Sequence, residues 1–298
     1  MIEYIYVGII ECLCTCTLAL SILLIIVNIK TEKTKELSVT LALNYQLCIG
    51  CILHSLSFYF VDIDLKKDDP SSSSFCRFQG SLSIFSLFVI MNLLCSIAYT
   101  SYKYFSNQTM INNKSTYYNI LIASLCWLVP FILSIFAFSL GDIKKNYIIY
   151  CWTSGGFDVV LTVYALIPFI VGLVYVIKLK MEVGRFISRF GDEELYEGFS
   201  RRVRHFIITL IFSIIVFTYD LINVFFTKVI GDFNLFNYLG CVLENILIFM
   251  MCILFGYNKG KWNAVKQLVL CKEVDAKEEN EIGLTEQIKS GDSEQVEE

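Results

Sequence analysis

The chain has 298 residues, of which 56% are hydrophobic and only 17% are charged. Soluble domains are typically about 45–50% apolar and about 25% charged, so this composition excludes an ordinary soluble protein and predicts one that folds in a bilayer. The formal net charge of −4 comes from residues 273–298, which hold 10 acidic residues and 2 lysines. Without them the chain carries 22 basic and 18 acidic residues, a net charge of +4.

Seven apolar runs of about 20 residues or more are long enough to cross the hydrocarbon core of a bilayer. Backbone groups in lipid have no water to bond, so each run is predicted to be an α-helix. We therefore predict an all-α membrane protein whose residues 1–257 form a bundle of seven transmembrane helices. The runs cover approximately residues 5–29, 37–61, 76–102, 117–140, 157–178, 206–228 and 235–257.

The distribution of lysine and arginine predicts the orientation. The segments after the first, third, fifth and seventh spans hold 16 such residues before the acidic tail, and the segments on the opposite face hold 6. Because cytoplasmic loops carry the excess of positive charge, the N-terminus is predicted to be outside and the C-terminus cytoplasmic. Two glycosylation sequons, at Asn107 and Asn113, fall in a loop that this topology places inside. A glycan on either asparagine would reverse the topology.

Two of the 12 cysteines differ from the others in their position relative to the apolar runs. Cys76 opens the third span and Cys151 lies in the loop before the fifth, both on the predicted outer face, where the redox environment permits a disulfide. Nine other cysteines lie inside spans and are interpreted as small apolar packing residues. We expect a bridge that ties the second outer loop to the top of the third span. The alternative is that Cys76 and Cys151 also serve only in packing.

Several short motifs resemble those of a receptor family. The third span starts with Cys76 and a Gln-Gly pair, the fourth carries a Trp-x-x-Pro, and Cys151 is followed by Trp152. With the seven spans, these features resemble G-protein-coupled receptors. They are most similar to the class E group of cyclic-AMP-receptor-like and glucose-sensing receptors, near the secretin-like class. The chain reads AYTSYKYF after the third span and lacks Asn-Pro-x-x-Tyr in the seventh, which sets it apart from the rhodopsin-like class.

The resemblance implies a cell-surface receptor in the plasma membrane. Its partners would be a small extracellular ligand, a heterotrimeric G protein and the lipid bilayer, and no cofactor, metal or nucleic acid is expected. It also implies an eighth, amphipathic helix on the cytoplasmic side, for which residues 258–272 show the pattern typical of a helix at the membrane interface. Residues 273–298 are predicted to be a disordered acidic cytoplasmic tail.

Ionisable side chains inside spans are costly and mark candidate functional positions. About four residues precede the first span, so we expect a small ligand bound within the outer half of the bundle. The alternative is that polar groups only join helices by hydrogen bonds, the interpretation preferred for Asn44, Gln46 and Asn92. Because carboxylates outnumber cations in the predicted site, an amine, a sugar or another neutral polar molecule is favoured over cyclic AMP. The predicted ligand-binding residues are His54, Arg77, Gln79, Trp152, Asp220, Asn223 and Glu244.

The predicted G-protein-coupling residues flank the cytoplasmic ends of the fifth and sixth spans. Receptors of the family present these helices to their G protein, whereas the alternative is that the same charges only anchor the helices against anionic lipid. The set consists of Lys178, Lys180, Arg201, Arg202 and Arg204.

Two other classes of function are weighed against a receptor. An enzyme is not expected, because the only histidines, His54 and His205, lie on opposite faces, and a catalytic zinc site needs about three protein ligands. A seven-helix small-solute transporter is the remaining alternative. Carboxylates within spans would suit proton-coupled transport, but the first three and last three spans show no repeated motif of the kind such carriers contain.

Overall fold

The computed structural model describes most of the apolar runs and the strands that precede the fifth span. The predicted eighth helix (258–272) and acidic tail (273–298) lie outside the described residues. The described residues are 2–31, 39–59, 74–106, 115–140, 142–146, 150–154, 156–190, 204–209, 211–216, 218–219, 222 and 234–256.

In these ranges the chain is helical apart from one two-stranded sheet. Further helical residues lie at 204–209 and 211–216, in the sixth predicted span. The sheet consists of β1 (Asp142–Asn146) and β2 (Tyr150–Ser154). The long helices are α1 (Ile2–Thr31), α2 (Val39–Tyr59), α3 (Ser74–Ser106), α4 (Ser115–Leu140), α5 (Gly156–Phe190) and α6 (Asn234–Gly256).

Three helices in the described part of the chain are long and apolar enough to cross a membrane. They are Ile5–Ile29 in α1, Ser74–Lys103 in α3 and Val160–Arg185 in α5. The prediction that the first, third and fifth runs form helices of this kind is confirmed. The second, fourth and seventh runs are also helical, as α2, α4 and α6, with shorter apolar stretches in the last two. The α5 helix continues to Phe190, well past the predicted end at residue 178.

The α3 helix lies at the centre of the packing. It contacts α2, α4, α5 and both strands, while α1 packs against α2 and α6. Ile84, Ile90 and Leu93 on α3 are completely buried. At the contact with α2, a Cβ atom built on Gly50 would lie 3.1 Å from Ile90 Cγ1, so a residue without a side chain lets the two helices approach closely.

Side chains that face away from this core are also apolar. Leu125 and Phe131 on α4 and Val163 and Ile167 on α5 are each more than half exposed. Soluble monomers rarely expose contiguous apolar patches of this extent. These helix faces are therefore suited to contact with lipid, and the chain has the character of a membrane protein.

Asn92 and Gln46 each take part in a hydrogen bond between two helices of the bundle. Asn92 Nδ2 donates to the Tyr164 hydroxyl over 2.7 Å, which links α3 to α5. Trp127 Nε1 donates to Gln46 Oε1 over 2.8 Å, which links α4 to α2. The prediction that Asn92 and Gln46 join helices is confirmed. Such bonds contribute on average about 0.6 kcal/mol each in membrane proteins.

The strands form an antiparallel hairpin that packs on the beginning of α3. Ile143 pairs with Thr153, and Lys145 with Cys151. Alternate residues of a strand point to opposite faces, and Ile143, Cys151 and Thr153 are all buried. From the sequence, only a loop that contains Cys151 was expected before the fifth span, so the hairpin was not predicted.

Candidate functional site

A buried histidine connects α2 to α3. His54 on α2 is 0% exposed, and its Nδ1 atom lies 3.3 Å from the Ser86 hydroxyl oxygen on α3. The Ser86 hydroxyl donates its hydrogen to the Ser83 carbonyl oxygen over 3.0 Å. The tautomer of the imidazole decides whether His54 Nδ1 donates to the Ser86 hydroxyl oxygen or accepts its hydrogen.

The other ring nitrogen of His54 faces a carboxylate. Its Nε2 atom lies 3.6 Å from Glu244 Oε1 on α6, and the Glu244 side chain is only 12% exposed. Charges removed from water interact more strongly than charges at a protein surface, and each is costly to bury without its partner. The pair therefore forms a polar contact between α2 and α6 in the interior of the bundle.

The α1 helix reaches the same region through Cys14. Its thiol donates to Asn245 Oδ1 over 3.1 Å, and Asn245 Nδ2 donates to the Cys241 carbonyl oxygen over 2.9 Å. One residue further along α1, Thr15 shares a hydrogen bond with the hydroxyl group of Tyr59, which links α1 to α2. Four helices thus contribute polar side chains to one interior region.

A line of polar residues on α3 leads from His54 towards the hairpin. Gln79, Ser83 and Ser86 are spaced i, i+4 and i+7, so they lie on one face of the helix. All three are buried, and a rise of 1.5 Å per residue places the first about 10 Å from the last along the axis. We call Gln79, Ser83, Ser86, His54 and Glu244 the polar tract.

The hairpin is attached to α3 where the polar tract begins. Cys76 and Cys151 form a disulfide with their Cα atoms 5.4 Å apart. Gln79 Oε1 accepts a hydrogen bond from the backbone N–H of Cys151 over 2.8 Å. One turn of α3 is therefore tied to β2 by a covalent bond and by a side-chain hydrogen bond. The hairpin covers the Gln79 end of the tract.

Several polar atoms in this region are buried and make no hydrogen bond within the described residues. They are Gln79 Nε2, Ser81 Oγ and Ser83 Oγ, while His54 Nε2 has only its longer contact with Glu244. An unsatisfied buried polar group costs about 1–3 kcal/mol, so native proteins satisfy nearly all of them, often with bound water. These donors and acceptors make the polar tract a candidate binding site for a small polar molecule.

The predicted ligand-binding residues fall into three groups. His54, Gln79 and Glu244 belong to the polar tract. Arg77 is exposed at the start of α3, and Trp152 lies in β2, paired in register with Lys144. The side chain of Trp152 is not described. The predictions for Asp220 and Asn223 lie outside the described residues.

Ser83 and Ser86 were not among the residues predicted from the sequence. Their spacing from Gln79 is a signal that could have identified them, because polar residues at i, i+4 and i+7 of an apolar span form one stripe. Cys14 packs in the core, as predicted, and its thiol is in addition hydrogen-bonded to Asn245.

At the opposite end of α3, tyrosine rings and a lysine form a second cluster. Lys178 Nζ lies 5.5 Å from the centre of the Tyr175 ring and 5.9 Å from that of Tyr102. The Tyr99 and Tyr175 rings meet edge to face at 4.7 Å. These contacts join α3 to α5, and sequence analysis had identified only the lysine.

The predicted G-protein-coupling residues that the structure describes belong to α5 and to the helical residues 204–209. Lys178, Lys180 and Arg204 are exposed, as a docking residue must be. The predictions for Arg201 and Arg202 lie outside the described residues.

No group of three histidine, cysteine or acidic side chains suited to a metal ion is found among the described residues. The polar tract offers one imidazole and one carboxylate, and its other members are an amide and two hydroxyls. This donor set favours hydrogen bonding to a small polar molecule. A comparison of the sequence with protein-family models and with curated proteins finds no match.

Proposed function

We propose that this protein is a seven-transmembrane plasma-membrane receptor, with its N-terminus outside, that binds a small extracellular polar ligand and activates a heterotrimeric G protein. The observation that carries the proposal is the polar tract, in which three helices bury an imidazole, a carboxylate, an amide and two hydroxyls beneath a disulfide-tethered hairpin. Burying such groups without full hydrogen bonding costs free energy, so packing of the bundle alone does not account for them.

The hydrogen-bonding groups of the tract favour a ligand with both donors and acceptors. Gln79 Nε2 can only donate, and the Ser83 hydroxyl can do both. An ionised Glu244 can only accept. A polyhydroxyl compound or an amine that also carries an acceptor matches these groups. A cyclic nucleotide matches them poorly, because its phosphate would need an arginine, and Arg77 is exposed at the start of α3.

The proposed signal is a change in the contact between α2 and α6. A ligand that binds His54 or Glu244 competes with their mutual contact, and it can shift the bundle only by its different affinity for the two arrangements. At the other end of the bundle, the exposed charges of Lys178, Lys180 and Arg204 are available to a G protein. The fifth and sixth spans and the third cytoplasmic loop would carry this signal.

A cell-based assay of G-protein dissociation tests the proposal. We would express the full chain with a panel of G proteins and apply amines, sugars and polyols to the outside. Glu244→Ala and Asp220→Ala should abolish the response while surface expression persists. Ser57→Ala is the matched control, because the buried Ser57 hydroxyl donates only to the His54 carbonyl oxygen of its own helix, over 2.7 Å. Normal signalling by both acidic variants would contradict the ligand site.

A small-solute transporter is the second candidate, and the His54–Glu244 contact is the observation that favours it. Buried ionisable pairs between membrane helices occur on the proton paths of carriers. Membrane vesicles that contain the purified chain and a G protein separate the two functions. A receptor stimulates nucleotide exchange when the active compound is added and moves no radiolabelled compound across the membrane. A carrier does the reverse.

A further inference from the structure

We infer that a cluster of tyrosines and lysines between α3 and α5 binds the headgroup phosphate of one anionic phospholipid. This tyrosine–lysine cluster consists of Tyr99, Tyr102 and Lys103 on α3 and Tyr175 and Lys178 on α5. The inference goes beyond the proposed function, because a receptor and a carrier both lie in lipid.

The position of the cluster along α3 places it at the level of lipid headgroups. At a rise of 1.5 Å per residue, the part of α3 from Cys76 to Lys103 spans about 40 Å. The hydrocarbon core of a bilayer is about 30 Å thick, and the headgroup layers bring the total to about 40–45 Å. Because Cys76 lies at the end that carries the hairpin, the cluster lies in the headgroup layer on the opposite side. Tyrosine and lysine are typical of this level.

The tyrosine rings hold two ammonium groups from neighbouring helices. Lys103 Nζ lies 6.0 Å from the centre of the Tyr99 ring, and Lys178 Nζ lies 5.5 Å from that of Tyr175. The Tyr99 and Tyr175 rings are in contact, so both lysines belong to one group of rings. A ring attracts an ammonium group electrostatically and leaves N–H donors for a phosphate oxygen. Both lysines are exposed, so a phosphate can reach them.

The carboxylates of the surrounding helices do not neutralise these charges. Within the described residues, α2, α3, α4 and the stretch 204–209 contain no aspartate or glutamate. The α5 helix contains two such residues, and Asp158 lies in its first turn, at the far end from the cluster. Glu182 is paired with Arg185, whose Nη1 atom lies 2.7 Å from Glu182 Oε1. The cluster therefore has a net positive charge that attracts an anion.

An apolar stripe on α5 shows why this anion is a lipid. Ile167, Val171 and Val174 precede Lys178 at spacings of i, i+4, i+7 and i+11, so the four side chains lie on one face of the helix. All four are exposed. An acyl chain can lie along the three apolar side chains while its phosphate contacts Lys178. A soluble anion or a cytosolic protein would use only the lysine end of this stripe.

A lipid bound in this way has a structural consequence. A phosphate that contacts Lys103 and Lys178 joins α3 to α5 at the end of the bundle opposite the hairpin. With the N-terminus outside, this end faces the cytoplasmic leaflet, which contains the anionic phospholipids. The choice of leaflet rests on the proposed function, because it uses the orientation proposed there, whereas the site itself does not.

Native mass spectrometry of the full chain in a neutral detergent tests the site, because it counts the lipid molecules that are bound. The probes are phosphatidic acid, phosphatidylcholine and glycerol 3-phosphate, which has the headgroup of phosphatidic acid without acyl chains. We expect one saturable site for phosphatidic acid that binds at least tenfold more tightly than phosphatidylcholine. An equal concentration of glycerol 3-phosphate should not displace the lipid.

Three variants assign the binding to the cluster. Lys103→Gln and Lys178→Gln should each weaken the binding of phosphatidic acid about fivefold, the contribution of one lysine near an anionic surface. Lys180→Gln removes an equally exposed charge at the same end of α5, on a different face from the apolar stripe, and should leave the affinity unchanged. In the wild-type protein, a phosphatidic acid with a photoactivatable acyl chain should label α5 near Val171 and Val174.

Any one of three results would overturn the inference. The first is a wild-type chain that binds phosphatidic acid no more tightly than phosphatidylcholine, or labelling that is confined to helices other than α3 and α5. Neither of these needs a variant to fold. The second is equal weakening by Lys178→Gln and Lys180→Gln, which would indicate a general attraction to surface charge. The third is displacement by glycerol 3-phosphate, which would indicate a site for soluble phosphates.

The lipid site and the proposed receptor activity fail separately. The samples contain neither a receptor ligand nor a G protein, so failure of lipid binding leaves the receptor proposal standing. Failure of the signalling assay likewise leaves the lipid site standing.

Discussion

The carbonyl oxygen of Cys151 lies so close to the backbone of Gly80 that a Cβ atom at residue 80 would be only 2.6 Å from it. The same Cβ would be 2.9 Å from Ile143 Cγ2 on the other strand. Both strands of the hairpin therefore rest directly on one turn of α3. That turn lies just beyond Gln79, whose side chain binds the Cys151 N–H. The hairpin can therefore cover this end of the polar tract only because residue 80 is a glycine.

Gly80→Ala should destabilise the protein because the clash is with backbone, which cannot move aside as a flexible side chain can. We expect the free energy of unfolding to fall by about 1–3 kcal/mol, the range found for overpacked sites. Gly8→Ala in α1 is the matched control, because no atom would lie within 4 Å of the added Cβ. That change should be neutral or stabilising by up to about 1 kcal/mol, as for other helical glycines. Thermal unfolding in detergent measures both, and equal midpoints would contradict the close contact.

The disulfide gives a second prediction. Mass spectrometry of non-reduced membranes should find the peptides that contain Cys76 and Cys151 linked to each other. Replacing either cysteine with serine should cost about 2–4 kcal/mol of stability, because the bridge constrains a long loop in the unfolded chain. The double variant should cost no more than either single variant, since all three lose the same bond. Cys12→Ser, at an exposed free cysteine, is the control.

The same peptide maps test the orientation of the chain. With the N-terminus outside, Asn107 and Asn113 face the cytoplasm and should carry no glycan in cells that glycosylate surface proteins. An engineered sequon in the segment between α2 and α3, at 64–72, should be glycosylated instead. Glycan at Asn107 or Asn113 would reverse the topology and remove the basis for placing the polar tract on the ligand side.

Sequence patterns predicted the helices better than they predicted the site. A long apolar run has one stable form in lipid, so α1, α3 and α5 follow from length and composition alone. The two cysteines were identified because they lie at the ends of such runs. The hairpin was missed because Asp142–Asn146, which reads DIKKN, is too short and too polar to show an alternating pattern that stands out from a turn.

The contacts between helices depend on how each helix is rotated about its own axis, and amino-acid composition does not determine that rotation. His54 and Glu244 were both identified as costly residues within spans, but their pairing depends on which faces of α2 and α6 meet. Ser86 contributes only because it lies opposite His54 in the folded bundle. The contacts of Lys178 with Tyr102 and Tyr175 likewise require that α3 and α5 pack side by side.

Lys178 should matter more for the bundle than its neighbour Lys180, although both are exposed. Lys178 Nζ lies over the rings of Tyr102 and Tyr175, and each such contact at an exposed site contributes about 0.5–1 kcal/mol. Lys178→Gln should therefore lower the midpoint of thermal unfolding and reduce ligand-driven G-protein activation several-fold. Lys180→Gln removes the same charge and should leave the midpoint unchanged. Equal midpoints in the two variants would show that the ring contacts contribute nothing.

Two substitutions of Gln79 distinguish its contribution to stability from its contribution to ligand binding. Its Oε1 atom accepts the N–H of Cys151 over 2.8 Å, and its buried Nε2 makes no hydrogen bond among the described residues. Gln79→Leu leaves the Cys151 N–H without an acceptor, so the free energy of unfolding should fall by about 1–3 kcal/mol. Gln79→Glu keeps an acceptor for that N–H but replaces the Nε2 donor with a carboxylate oxygen, which is itself costly to bury when ionised.

The two variants should therefore differ in what they lose. Gln79→Leu is expected to lower both the thermal midpoint and the ligand response. Gln79→Glu is expected to retain the Cys76–Cys151 bridge, which peptide mapping reports, and to weaken the response at least tenfold, because the Nε2 donor offered to the ligand is gone. A Gln79→Glu variant that responds at the wild-type ligand concentration would show that Nε2 does not contact the ligand. The polar tract would then begin at Ser83.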